Sequence, residues 1–279
     1  VEAMIPLIFT GTGVCIMFSA NQINLAGEGG FQLGGLVASV CALQLGLPAG
    51  LSPFTALLMA ALAGAVFTAI PALLKIKTGS SEMVSSLMLN YLSLWFCTYI
   101  LMHFILDSSV GSASHRLPSE SKLATLISGT RIHAGVFIAL AVAILGYIFL
   151  YKTKTGYELR LAGENEKFAK YSGISIVKVI LISQLVGGAV AGLGGGVEML
   201  SPIYSRFSWT SQLGYGWDAI IICTLASIMA RSTDVTLEIV QITQGIIILL
   251  AVAEQFLSKT KHKMIAREAK ASLKGEEAA

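Results

Sequence analysis

The sequence predicts an all-α, polytopic transmembrane chain with several short or broken helices, and three observations carry that prediction. Of its 279 residues, 54% are hydrophobic and 13% charged, where an ordinary soluble domain carries about 25% charged residues. Uncharged apolar runs recur along most of the chain, and the mean hydropathy is +0.74. Lysine and arginine gather in a few stretches between those runs. A soluble core of buried helices is the competing reading, but too few polar residues remain to cover one.

A hydrocarbon layer of about 30 Å takes roughly 20 apolar residues of helix. Runs of that kind cover 51–74, 83–106, 134–151 and 179–197; shorter ones cover 4–20, 33–47, 219–230 and 239–253. Barrel strands would show alternation over segments of about ten residues, and these Ala-, Leu- and Gly-rich runs do not alternate. A transmembrane unit is expected over 1–257 and a basic tail over 258–279. Val1 follows no basic region or cleavage site, so no signal peptide is visible, and an incomplete N-terminus is expected.

Sidedness follows from the basic residues. Lys152, Lys154, Arg160, Lys167, Lys170 and Lys178 fall in 152–178; Lys259, Lys261, Lys263, Arg267, Lys270 and Lys274 fall in the tail. The positive-inside rule puts both stretches in the cytoplasm, together with the Lys75-Ile76-Lys77 turn. The loop 107–133, with mixed charge and Pro118, is then external. Between 178 and 258 three runs are visible, and an odd number of crossings cannot return the chain to one side. Either one run is re-entrant or a crossing is missing between Ala230 and Arg231.

The residues exclude several chemistries. No GxxxxGK[ST] is present, so the chain holds no phosphate cradle of that kind, and there is no HExxH. His103, His115, His133 and His262 do not cluster. Cys15, Cys41, Cys97 and Cys223 lie singly inside apolar runs and read as small core residues, not as metal ligands or disulfides. A net charge of +3 gives no reason to expect nucleic-acid binding.

Three stretches carry more information. Asn21 to Gln32 (NQINLAGEGGFQ) sets amides and glycines between two apolar runs and predicts a helix break. It reads either as a broken helix lining a substrate path or as a turn between two short spans; both stay open. Gly187 to Gly196 repeats small residues at spacing four, with Gly188, Gly192 and Gly196 on one line, which predicts close helix packing. The stretch Gly163, Glu164, Asn165, Glu166, Lys167, Phe168, Ala169, Lys170 and Tyr171 contains a short helix. Asn165 is its cap, Glu166 lies in its first turn and Gly173 follows its end. Phe168 and Tyr171 share a face, suited to docking into a partner or to lying on the membrane.

Polar groups inside the membrane are costly and point to function. Asn90 lies about 12 Å into its span at 1.5 Å per residue. Glu198 ends the glycine-rich run, and Trp217-Asp218 opens the next. An aromatic ring beside a polar group suits a nucleobase or sugar face, whereas Trp209, Tyr215 and Trp217 equally suit membrane anchors. Glu82, after Ser80-Ser81, reads as a helix N-terminus where its charge suits the dipole.

The chain resembles the permeases of bacterial ABC importers of the ribose and branched-chain amino-acid superfamily, and within it the nucleoside-type permeases that work with basic-membrane-protein lipoproteins. The resemblance rests on Asn24–Gly35, SSEMVSSLMLNY ending at Tyr91, Gly129–Gly135, Lys154–Arg160, Gly163–Ile174, Ala189–Glu198, Gly214–Ala219 and Gln244–Leu249. The spelling around Glu28 departs from the family's. The resemblance implies a second permease subunit, a cytoplasmic ATPase holding ATP and Mg, an external substrate-binding lipoprotein and a bacterial cell-membrane location. It also implies a coupling role for Gly163–Ile174 and a further span between Ala230 and Arg231. No cofactor is expected in this chain. The path residues expected are Asn21, Asn24, Glu28, Gln32, Asn90, Glu198, Trp217 and Asp218. Uptake of a nucleoside is the reading; ribose or another simple sugar, or a secondary transporter without an ATPase, are the alternatives.

Overall fold

Small residues decide how these helices pack, because in lipid no hydrophobic force drives one apolar helix against another. The computed structural model describes residues 4–46, 48, 50–125 and 133–232. Its helices are α1 (Met4–Ser19), α2 (Gly27–Gln44), α3 (Leu51–Thr78), α4 (Glu82–Ile100, extended by a π-helical turn Leu101–Ile105), α5 (Gly135–Lys152), α6 (Lys154–Glu164), α7 (Glu166–Tyr171), α8 (Ile176–Met199) and α9 (Tyr215–Ser232). Among the described residues there is no strand, only the isolated bridges Leu106–Ser114 and Thr125–His133. The chain is an all-α, multi-pass membrane protein. Leu51–Thr78, Glu82–Ile105, Gly135–Lys152 and Ile176–Met199 are each long and apolar enough to cross a bilayer.

At the centre lies α8, packed against α1, α2 and α3. Its glycines explain why. A Cβ on Gly188 would overlap the Thr68 side chain, one on Gly192 the Ala60 carbonyl, and one on Gly196 would stand 2.9 Å from the Ala60 methyl. This line therefore faces α3. Gly195 and Gly34 meet α2 and α8 backbone in the same manner, and Gly13 meets Gly187 across the α1–α8 contact. The outward faces carry large apolar side chains, among them Phe54 and Val66 of α3, Met88 and Trp95 of α4, and Phe137 and Leu145 of α5. In a bilayer, acyl chains solvate those surfaces.

One expectation changes. The helix break spans only Ala20–Ala26, because Gly27–Gln32 is already the first part of α2. Gly29 and Gly35 do not open the backbone there. They admit neighbours: a Cβ on Gly29 would stand 2.7 Å from Ser93 Oγ, and one on Gly35 would overlap the Trp209 ring. Cys15 and Cys223, isolated in sequence, meet with Sγ atoms 3.2 Å apart where α1 packs on α9. Helix α9 ends at Ser232. The run 239–253, the motif 244–249, the tail 258–279 and 129–132 lie outside the described residues.

On one end of the bundle, 106–123 pairs with 200–207. Ser114 N–H donates to Phe207 O (2.9 Å), Leu117 N–H to Ser205 O (2.9 Å) and Leu123 N–H to Leu200 O (2.9 Å). Arg206 Nη1 donates to Asp107 Oδ2 (2.6 Å) and to Ser114 O (2.8 Å). Hydrogen bonds from Ser109, then the Arg206 guanidinium, hold the Asp107 carboxyl well below the usual carboxylate range. Trp209 lies beneath, stacked on Phe31 at 5.8 Å and edge-on to Tyr204 at 5.6 Å.

Candidate functional site: the turn between α1 and α2

Residues 20–26 are the turn at which the chain reverses, since α1 runs antiparallel to α8 (Gly13 on Gly187, Phe9 on Gly194) and α2 parallel to it (Gly34 on Gly192, Ala38 on Gly196). Asn21 and Ile23 are exposed while Gln22, Asn24 and Ala26 are buried, so the buried backbone groups need partners from side chains. Asn21 starts the break with φ 53, in the left-handed region that asparagine tolerates. Asn24 is fully buried and bridges the break: its Oδ1 accepts from Ala26 N–H (2.7 Å) and its Nδ2 donates to Gln184 Oε1 (2.6 Å). Ser86 Oγ accepts from Leu25 N–H (3.0 Å). Asn90 serves both sides, donating from Nδ2 to Leu25 O (2.7 Å) and accepting from Gly29 N–H at Oδ1 (2.9 Å). The depth of Asn90 in α4 is thus matched to the break.

A second set of polar groups, on α3, α4 and α8, joins the first. Gln184 Nε2 donates to Glu82 Oε1 in a short hydrogen bond. Lys75 Nζ donates to Glu82 Oε2 (2.9 Å) and to Gln22 Oε1 (2.6 Å). The Glu82 side chain is only 4% exposed, while that of Lys75 is 33% exposed. Glu82 does begin α4, as its sequence position predicts, but its carboxylate is the buried end of an ion pair. A charge this deep requires a paired partner and full hydrogen bonding, and it has both. Gln184 and Lys75 escape sequence inspection as site residues. The available signal is a lone amide inside the run 179–197, the same signal that marks Asn90.

Glu28 makes a different contact. Its Oε1 accepts from the N–H groups of Leu213 (2.7 Å) and Gly214 (2.8 Å), and its Oε2 from Gly216 N–H (2.6 Å). These are the free donors at the start of α9, where a carboxylate also complements the helix dipole. Glu28 is therefore the anchor of α9, whose next residues, Trp217 and Asp218, are both half-buried. Trp217 Nε1 donates to Gln212 Oε1 (3.3 Å). Gln32 is buried one turn further along α2, and its Nε2 donates to Trp209 O (3.3 Å). Among the described residues its Oε1 has no hydrogen-bond partner, nor has Trp209 Nε1. Asn24 and Asn90 thus serve one turn, and Glu28 just beyond it holds the start of α9, which carries Trp217 and Asp218. Glu198, buried near the end of α8, is elsewhere, roughly 21 Å along the helix from Gln184 at 1.5 Å per residue.

The short helix α7 projects from the bundle. Asn165 Oδ1 accepts from Phe168 N–H (3.0 Å), capping it, and Gly173 ends it with φ 82. Ala169 is buried against α6 and α8, leaving Phe168 55% and Tyr171 93% exposed. Behind them, Gly163 of α6 lies on the end of α1: a Cβ there would overlap the Ser19 carbonyl and stand 3.2 Å from Asn21 N. Helix α6, which carries α7, thus rests directly on the start of the turn. Among the described residues no group of three or more His, Cys, Asp or Glu side chains could hold a metal ion.

Comparison with known proteins agrees with this architecture. A guanosine ABC transporter permease protein, NupP of Bacillus subtilis, is 30% identical over 231 residues, covering 81% of this chain and 66% of that protein. A glucose ABC transporter permease protein, TsgB13 of Haloferax volcanii, is 32% identical over 238 residues, 79% of this chain and 61% of that one. A nucleoside ABC transporter permease protein, NupB of Lactococcus lactis, is 27% identical over 235 residues, 80% and 64%. The chain thus spans less than two thirds of the length of these relatives. No solved structure matches it. The model of the family described as the branched-chain amino acid transport system permease component matches residues 2–259, and the chain belongs to that family.

Proposed function

We propose that this chain is the transmembrane permease subunit of an ATP-driven importer of nucleosides, purine nucleosides foremost. The observation that carries the reading is α7: a side-chain-capped helix that presents Phe168 and Tyr171 outward and leans, through α6, on the turn between α1 and α2. A helix with that exposure needs a partner, and the lysines of 152–178 put it on the cytoplasmic side. There a cytoplasmic ATPase carrying ATP and Mg supplies the driving force. A second permease subunit completes the path, and an external binding lipoprotein delivers substrate to the face formed by 106–123 and 200–207. The basic tail 258–279 then lies in the cytoplasm. The permease pair alternates between outward and inward access, driven by the difference in affinity of its partners for the two states.

Nucleosides are favoured because guanosine and nucleoside permeases stand among the relatives. A sugar is the second reading, since a glucose permease matches at 32% identity. The test is reconstitution of the complex with its binding protein in liposomes, following ATP-driven uptake of guanosine, ribose and glucose. Uptake of guanosine above the two sugars is expected. Sugar uptake alone would replace the substrate assignment, and uptake that ignores ATP but follows an ion gradient would overturn the importer class.

A further inference from the structure

We propose that Gly163 and the side-chain relay Gln22–Lys75–Glu82–Gln184–Asn24 form the mechanical link between α6–α7 and the α1–α2 turn, and so convert movement of α7 into opening of the path. The inference rests on the reading of α7 as the ATPase-docking helix.

Two contacts in series compose the link. The first is steric: Gly163 sits so close to the Ser19 carbonyl and Asn21 N that a methyl group does not fit between them. Helix α6 cannot advance toward α1 without displacing Ser19–Asn21, the point at which α1 ends. The second is polar. Gln22, the next residue, accepts from Lys75 Nζ, which also donates to Glu82; Glu82 accepts from Gln184, and Gln184 accepts from Asn24. Displacing Gln22 pulls on a cation whose other partner is a buried carboxylate.

Such a relay has few intermediate positions. Glu82 has both oxygens engaged, and losing Lys75 would leave its charge buried and unpaired, a costly state. The relay therefore holds as a unit or re-forms around a different arrangement of α3, α4 and α8, which is how a small displacement becomes a discrete one. At its far end Asn24 supplies the acceptor for Ala26 N–H. A change there reaches Glu28, two residues on, and with it α9. The residues named position the break; none needs to touch substrate.

The experiment measures guanosine uptake and ATP hydrolysis together in the reconstituted complex. Three variants probe the link: Gly163→Ala, which forces α6 from Ser19; Glu82→Gln, which keeps shape and removes charge; and Lys75→Gln, at a partly exposed position that tolerates change. Lys77→Gln, exposed on the same turn, is the control. Each probe variant is expected to lower uptake per ATP by about tenfold, with basal hydrolysis little changed. The Lys75→Gln/Glu82→Gln double variant should lose no more than either single one, as members of one unit do. A merely structural role would lower uptake and hydrolysis together. Wild-type uptake per ATP in Lys75→Gln and Gly163→Ala would overturn the link while leaving the importer reading intact. Absence of ATP-driven uptake in the wild-type complex would overturn both.

Discussion

Gly216 is pressed against Glu28: its N–H donates to Glu28 Oε2 at 2.6 Å, and a Cβ on Gly216 would stand 2.5 Å from Glu28 N. The first turn of α9 is thus seated on the first turn of α2, backbone to backbone, with one carboxylate saturating the donors of Leu213, Gly214 and Gly216. Two helix N-termini that would repel each other share a single negative charge.

Replacing Glu28 should therefore detach α9. Glu28→Ala leaves three N–H groups without their acceptor, that of Gly216 buried and those of Leu213 and Gly214 half-buried, and a loss of about 3 kcal/mol is expected. Glu28→Gln, with one acceptor oxygen, should fall between Ala and wild type. Thermal unfolding of the purified complex in detergent checks the order; equal midpoints for all three would remove Glu28 as the anchor.

The glycine line of α8 gives a steric prediction. Gly192→Ala sets a methyl group against the Ala60 carbonyl and Gly64, with 2.9 Å left to Gly64 Cα. Overpacking of this kind costs about 1–3 kcal/mol. Exposed Gly79, at the α3–α4 turn with φ 68, has open space at its Cβ position, so Gly79→Ala meets only backbone strain, about 1 kcal/mol. Side-by-side unfolding midpoints should rank Gly192→Ala as the more damaging.

Helix α7 supplies a functional prediction. Phe168→Ala and Tyr171→Ala remove exposed rings without touching the bundle. They should abolish stimulation of the ATPase by substrate-loaded binding protein while membrane insertion stays normal. Asn165→Ala removes the cap, at a cost of about 1 kcal/mol to the helix, and should weaken stimulation partly. Unchanged stimulation in the ring variants would reject α7 as the docking element.

The clasp between Asp107 and Arg206 predicts a pH response. Its carboxyl, held below the ordinary range first by Ser109 and then by Arg206, binds protons less readily folded than unfolded. Its contribution is therefore complete above the unfolded value, about 3.9, and is lost as pH falls through the lower folded one. Limited proteolysis of the loop 106–123 between neutral pH and pH 3 should show cleavage rising in the acid range. In Asp107→Asn cleavage should be raised at every pH and should lose that acid step.

Much of this architecture is legible in the residues one at a time. Lipid permits few backbone solutions, so runs of about 20 apolar residues announce helices, and local chemistry marks their ends. Asn165 caps α7 through a bond spanning three residues, which a reader of sequence sees directly. The break is legible in kind from Asn21–Ala26 but not in extent, because a glycine that frees the backbone and one that admits a neighbour look the same. Only Ser93 and Phe67 against Gly29, and Trp209 against Gly35, distinguish them.

What the sequence by itself determined is that the chain lives in lipid as helices, where it is interrupted, and which short segment stands apart. What the tertiary structure alone decided is partnership. Glu82 is a helix-starting carboxylate in sequence and a buried anion in space, because Lys75 and Gln184 come from other helices to meet it. Cys15 and Cys223 are 208 positions apart and lie 3.2 Å from one another. Periodicity and capping act within a few residues of the chain and can be read from it. A buried charge is stabilised by whichever groups the packing of glycine-lined helices delivers to it, and that packing is decided by all the helices at once.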